Sequence, residues 1–257
     1  MKKILIFMGV VVFVAFSAWQ VVLTQELLEK IAFNYLSPYG YVMEVRGFKK
    51  GLFFSLEAEQ VTLRKDKRIS VFTVPERLML KQVRARVGFF SARIYVQAKM
   101  FGGDLDAYSG LSGPLKTEIH HADLGLIGEA FEFKAMGSLD ASIDGDRVRF
   151  QMHQVRIDDA RLTAGDLPLN LFSEIKGLLI IGNQGVIIKS LLLEGPEGHV
   201  NIAGNISGGY LEGIMEITPA SERNLDNMFI AYKTGQGNYK LPFKVALNPE
   251  FALGRGE

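Results

Sequence analysis

Residues able to do chemistry are few in this chain of 257. His120-His121, with Asp123 close behind, is the only histidine cluster, and imidazoles beside a carboxylate are what a metal-dependent hydrolase needs. In a strand, however, adjacent side chains point to opposite faces, so this pair is expected not to grip one ion. His153 and His199 stand alone and read as ordinary surface or core residues. The stretch Gly110-Leu111-Ser112-Gly113-Pro114-Leu115-Lys116-Thr117 superficially matches a phosphate loop. Leu115, though, replaces the glycine that must precede the lysine, and Pro114 removes a backbone N–H from the cradle. Gly235-Gln236-Gly237 lacks the third glycine of a dinucleotide fingerprint, and no G-x-S-x-G elbow occurs. Asp144-Gly145-Asp146 and Asp158-Asp159 are turn residues before they are cation ligands. Zero cysteines exclude thiol catalysis, thiolate zinc sites and lipid attachment through cysteine. No catalytic residue, metal or cofactor is therefore expected.

The elements that would have to position any site begin with a membrane-length segment. Met1-Lys2-Lys3 precedes an apolar run from Ile4 to Leu23, interrupted only by Ser17 and Gln20. At about 1.5 Å per helical residue such a run covers the roughly 30 Å hydrocarbon core of a bilayer. A cleaved signal peptide is the competing reading, with small residues at Ala15-Phe16-Ser17. The run nevertheless continues through Val21, Val22 and Leu23, beyond the roughly 7 to 15 residues of a signal's apolar region. Residues 1–3 are thus expected in the cytoplasm, 4–23 as a transmembrane anchor and the rest across the membrane, which in a bacterium is the periplasm. From 24 to 36 the apolar residues Leu27, Leu28, Ile31 and Tyr35 share one helical face, an amphipathic stalk that Pro38 and Gly40 end.

From 37 to 257 the dominant period is two. Ile94, Val96, Ala98 and Met100 alternate with polar residues, as do Val200, Ile202, Gly204 and Ile206; Phe131, Phe133, Ala135, Gly137, Leu139, Ala141 and Ile143 make the longest series. Parity shifts at Glu59-Gln60, Lys81-Gln82 and His153-Gln154 predict bulges, which bend strands. Glycine-rich turns at regular spacing favour an antiparallel meander. Two short helices are expected, from Asp123 to Ala130 and from Glu222 to Tyr232. The fold class is mainly β: one long antiparallel curled sheet, a half-pipe or an open barrel or sandwich, behind one N-terminal transmembrane helix. Phe54, Leu56, Ile94, Val96, Phe131, Phe133, Leu139, Val200 and Ile202 would line its groove, for lipid or a partner; a closed packed core of the same residues is the alternative.

The net charge is only +1, from 29 Lys+Arg and 28 Asp+Glu, which argues against a polybasic nucleic-acid binder. Its distribution is uneven. Residues 44–99 carry 13 basic against 5 acidic side chains, and residues 100–257 carry 13 against 21. A basic surface centred on Arg64, Lys65, Lys67 and Arg68, with Arg84, Arg86 and Arg93, suits anionic headgroups or an acidic partner; ordinary solvated strand faces are the plainer reading.

The basic end, the single anchor and several segments together resemble the type II secretion system protein N family. Those segments are Ser37-Pro38-Tyr39-Gly40, Lys50-Gly51-Leu52-Phe53-Phe54, Met100-Phe101-Gly102-Gly103 and Tyr239-Lys240-Leu241-Pro242-Phe243-Lys244-Val245 followed by Asn248-Pro249. The resemblance implies an accessory inner-membrane component of the machine that exports folded proteins across the outer membrane, with no enzymatic residues and with other secretion-system proteins as partners. The chain is also similar in style to AsmA/TamB-like envelope proteins. That similarity implies an apolar groove for phospholipid or other acyl chains, although the chain is far shorter than a TamB-like bridge.

Overall fold

Alternating apolar and polar side chains leave little choice but strands, and strands dominate. The computed structural model describes residues 19, 24–37, 41–51, 54–65, 77–88, 92–110, 113–131, 133–157, 161–162, 167–168, 171–182, 185–220, 232–234 and 238–246. Apart from Trp19, the expected anchor lies outside the described residues, as do Lys67, Arg68 and nearly all of the helix expected from Glu222. Among the described residues no helix is long and apolar enough to cross a membrane.

In chain order the elements are α1 (Gln25–Leu36), β1 (Tyr41–Arg46), β2 (Lys49–Lys50), β3 (Ser55–Lys65), β4 (Arg77–Gly88), β5 (Arg93–Met100), β6 (Gly103–Gly110), β7 (Lys116–Asp123), α2 (Leu124–Phe131), β8 (Ala135–Asp144) and β9 (Arg147–Ile157). They continue with β10 (Arg161–Leu162), β11 (Leu167–Pro168), β12 (Glu174–Gly182), β13 (Gly185–Gly195), β14 (Gly198–Ser207), β15 (Tyr210–Pro219) and β16 (Tyr239–Ala246). Fourteen strands make one antiparallel sheet that does not close, ordered β1-β3-β4-β5-β6-β7-β8-β9-β12-β13-β14-β15-β16 with β2 beside β3; β10 and β11 pair separately. Two compact units are distinguished: one takes in α1, β1 to β5 and Leu105–Gly113, the other Phe101–Asp104 and the described residues from Pro114 onward.

In the first unit α1 starts at Thr24, whose hydroxyl accepts the Leu27 N–H at 3.2 Å, and Glu26 in its first turn complements the helix dipole. Its attachment to the sheet is polar. Gln25 Nε2 donates to the Val45 carbonyl (2.6 Å) and Glu29 Oε1 accepts the Val45 N–H (3.1 Å), so two side chains satisfy both backbone groups of Val45 on β1. Ile31, on the apolar face of the expected stalk, is exposed. The sequence pattern missed this because it weighs only apolar residues, whereas an edge strand asks for hydrogen-bonding ones. Buried residues here are small: Val45, Ala58, Thr62 and Ala98.

In the second unit register partners build apolar rows. Ile175, Leu193, Val200, Ile217 and Tyr239 follow one another across β12 to β16, and the row extends through Met152, Leu139 and Ala122 on β9, β8 and β7. A second row runs Gly177, Leu191, Ile202, Met215 and Leu241. Leu124 of α2 and Phe172 join these rows in one core. Each such buried side chain contributes about 1.5–3 kcal/mol. The helix begins where Asp123 Oδ1 accepts the Gly125 N–H at 2.7 Å, so the carboxylate that stood beside the histidines in sequence is a helix cap.

Two of the three expected bulges form. The β4–β5 register slips between Lys81 and Arg84, with Gln82 at φ 51, and the β8–β9 register slips opposite Gln154, at φ 52. Gly137 faces the second bulge at φ 122; a Cβ there would come within 2.5 Å of the His153 carbonyl oxygen. The bulge expected at Glu59-Gln60 is not there: β3 keeps one register with β1 and with β4, and Gln60 Nε2 bonds Thr62 Oγ1 at 2.8 Å. Polar Gln60 and Thr62 at partly or fully buried positions had imitated a change of face. Phe131 and Phe133 do not open a strand either; Phe131 ends α2 and β8 starts at Ala135.

Candidate functional site

A further bulge lies at the histidines. His121 adopts φ 55, and the β7–β8 register slips between Ile119 and Ala122. Strand alternation is therefore broken where the opposite-face expectation relied on it, and both imidazoles address one carboxylate. His120 Nδ1 lies 3.8 Å and His121 Nδ1 3.7 Å from Asp140 Oδ1, which also accepts the His121 backbone N–H at 2.9 Å. His153, judged solitary above, reaches the same group from β9, with Nε2 3.5 Å from Asp140 Oδ2, while its Nδ1 meets Glu174 Oε2 of β12 at 2.8 Å. Glu118 stands 3.7 Å from His120. Three of the chain's four histidines thus converge. The legible sign was the spacing of Ile119 and Ala122, the same three-residue apolar step that marks the other bulges. Among the described residues no group of histidines and carboxylates is disposed to hold a metal ion. His120 and His121 are half and four-fifths exposed, so water competes for their contacts with Asp140.

Of the remaining chemical motifs, Asp158-Asp159 and Gly235-Gln236-Gly237 lie outside the described residues, and Asp144-Gly145-Asp146 makes the turn between β8 and β9. Lys116, the lysine of the apparent phosphate loop, begins β7 and pairs with Asp144 across the ladder at 2.8 Å. On β12 and β13, Lys176 and Glu194 bond at 2.6 Å, and that bond raises the lysine's pKa above its ordinary value.

The residues expected to line a groove fall in both units. Phe54, Leu56, Ile94 and Val96 belong to the first, where Ile94 is 46% exposed and the other three are half-buried. Phe131, Phe133, Leu139, Val200 and Ile202 belong to the second. Val200 and Ile202 are fully packed in the core, Leu139 lies against it, and Phe131 and Phe133 remain more than two-fifths exposed. A shallow cleft in this unit is lined by Gly137, Gln154, Arg156, Phe172 and Pro196 beside the β9 bulge.

Of the basic residues, Arg64 is engaged by Glu44 at 3.2 Å and Arg84 by Glu57 at 3.4 Å. Arg86 and Arg93 are held differently. Arg86 lies over the Tyr95 ring at 5.3 Å, Arg93 over the Tyr108 ring at 5.8 Å, and the two rings are 6.2 Å apart and tilted by 32°. This ladder crosses β4, β5 and β6. A sequence reading registers the arginines; the tyrosines that seat them come together only through strand register.

Comparison of the chain with known protein families, with curated proteins and with solved structures found no match.

Proposed function

We propose that this chain is a non-enzymatic, single-pass inner-membrane protein whose β domain stands in the periplasm and serves type II protein secretion through contacts with other envelope components. The pairing that carries this reading is a membrane-length apolar run at 4–23 with an open antiparallel sheet whose polar clusters sit on exposed strand faces. Imidazoles exposed to this degree lack the dry pocket in which acid–base groups gain their effect. Trp19, inside that run, packs edge-on against Phe54 at 5.2 Å, and its carbonyl accepts from Lys50 Nζ at 3.5 Å, so the described end of the run is fastened to the first unit. The resemblance in the Lys50–Phe54 segment falls on this contact.

A second reading, an AsmA/TamB-like lipid-binding or lipid-transfer protein, is favoured by the exposed Ile94, Phe131 and Phe133. A photo-crosslinking residue placed at Ile94 and at Phe133 in the native host separates the two. Adducts to secretion-machine proteins are expected; adducts to lipid would select the second reading, and an absence of both from folded protein would overturn both. Intact-mass measurement on the purified chain checks the anchor: loss of about the first 17 residues would leave no membrane tether.

A further inference from the structure

Trp19 and the arginine–tyrosine ladder belong to the same unit. Phe54, in ring contact with Trp19, precedes Ser55, and Ser55 is the register partner of Arg86, which in turn is the register partner of Tyr95. Two carboxylates of the same strands' neighbours are engaged, Glu57 by Arg84 and Asp106 by the Gln97 amide at 2.7 Å. Arg86 and Arg93 are exposed and among the described residues meet tyrosine rings and no carboxylate. A guanidinium seated on a ring face loses little further freedom on binding and keeps its in-plane N–H donors directed outward, the geometry that grips a phosphate with two bonds at once. Opposite Arg93 across the β4–β5 ladder stands Gly88, which has no side chain to obstruct a headgroup.

We infer that Arg86 and Arg93, on their tyrosine seats, form a binding site for the phosphodiester headgroup of anionic phospholipids in the membrane that holds residues 4–23. The inference rests on the anchored reading above, and it adds a lipid preference that anchoring alone does not require. Lipid is chosen over other phosphodiesters because Arg86 stands opposite Ser55, the chain neighbour of the Phe54 that Trp19 of the apolar run contacts.

The chain's single tryptophan makes the test direct. Full-length protein is reconstituted in phosphatidylcholine vesicles containing one-fifth phosphatidylglycerol, with bromine placed on the acyl chains of either lipid in turn, and Trp19 fluorescence quenching is read. Per brominated molecule, phosphatidylglycerol is expected to quench about threefold more efficiently than phosphatidylcholine. The excess should disappear in Arg86→Gln/Arg93→Gln and shrink in Tyr95→Leu/Tyr108→Leu, which keeps the charges but removes the seats, with circular dichroism confirming the fold. Equal quenching by the two lipids in the unaltered protein overturns the site and leaves the anchor standing. No quenching by either lipid overturns the anchor itself. An excess that survives in the arginine variant assigns the preference to other basic residues and overturns the site.

Discussion

Asp140 does more than face three imidazoles. Its Oδ1 accepts the backbone N–H that the His121 bulge turns away from the β8 ladder. Replacing it by alanine leaves that N–H to water and should destabilise the protein by about 1 kcal/mol in urea denaturation. Asp140→Asn keeps a carbonyl acceptor and should cost less than half as much. If the two variants unfold alike, the hydrogen bond is not what the carboxylate contributes. Residues of this kind were the least legible in the sequence. His120, His121 and His153 could be named but not brought together, because convergence required a positive φ at one residue and the register of three strands. By contrast the N-cap of α2 was within reach, since Asp123 precedes an apolar helical segment that breaks the strand pattern.

At the scale of elements, the two ends of the open sheet are blunted by different means. β1 has the backbone groups of Val45 taken up by Gln25 and Glu29 from α1. β16 carries Pro242, which has no N–H to offer, between Lys240 and Lys244, themselves paired to Glu216 and Glu212 of β15. Proline and lysine on a terminal strand discourage the addition of a further strand. Glu29→Ala should therefore speed amide hydrogen exchange at Val45 while leaving exchange in β16 unchanged, and Thr24→Ala, by fraying the same helix, should cost about 1 kcal/mol of stability. Pro242→Thr restores a donor and should produce concentration-dependent association in sedimentation velocity; a variant that stays monomeric would show that the edge is guarded by something other than the proline. Strand existence was read correctly over most of the chain from period two alone. Boundaries failed where strand-like apolar spacing ran through a helix end and the residues after it, as at Phe131 and Phe133.

For the whole molecule, burial is unequal. Leu193 is 2% exposed in the second unit's core and Ile94 is 46% exposed in the first. Leu193→Ala should cost about 2–5 kcal/mol, whereas Ile94→Ala should stay within about 0.5 kcal/mol. Comparable losses at both positions would mean that Ile94 is covered in the working protein. The fold class, an open antiparallel meander, followed from alternation and turn spacing. Which side chains fill the core did not, because the same alternating pattern serves a covered face and a bare one; among the described residues, Leu124 of α2 and Phe172 pack into the rows that are covered.

The order of the strands has a kinetic corollary. Nearly every strand in the sheet pairs with the one before it and the one after it, and the short β10–β11 excursion is the main interruption. Loop closure in such a chain is local, so the search for partners is short for a β protein and the expected folding rate is high for its sheet content. A chain delivered from its N-terminus onward would never need to wait for a distant segment: each strand finds its template already laid down, and growth ends when Pro242 arrives.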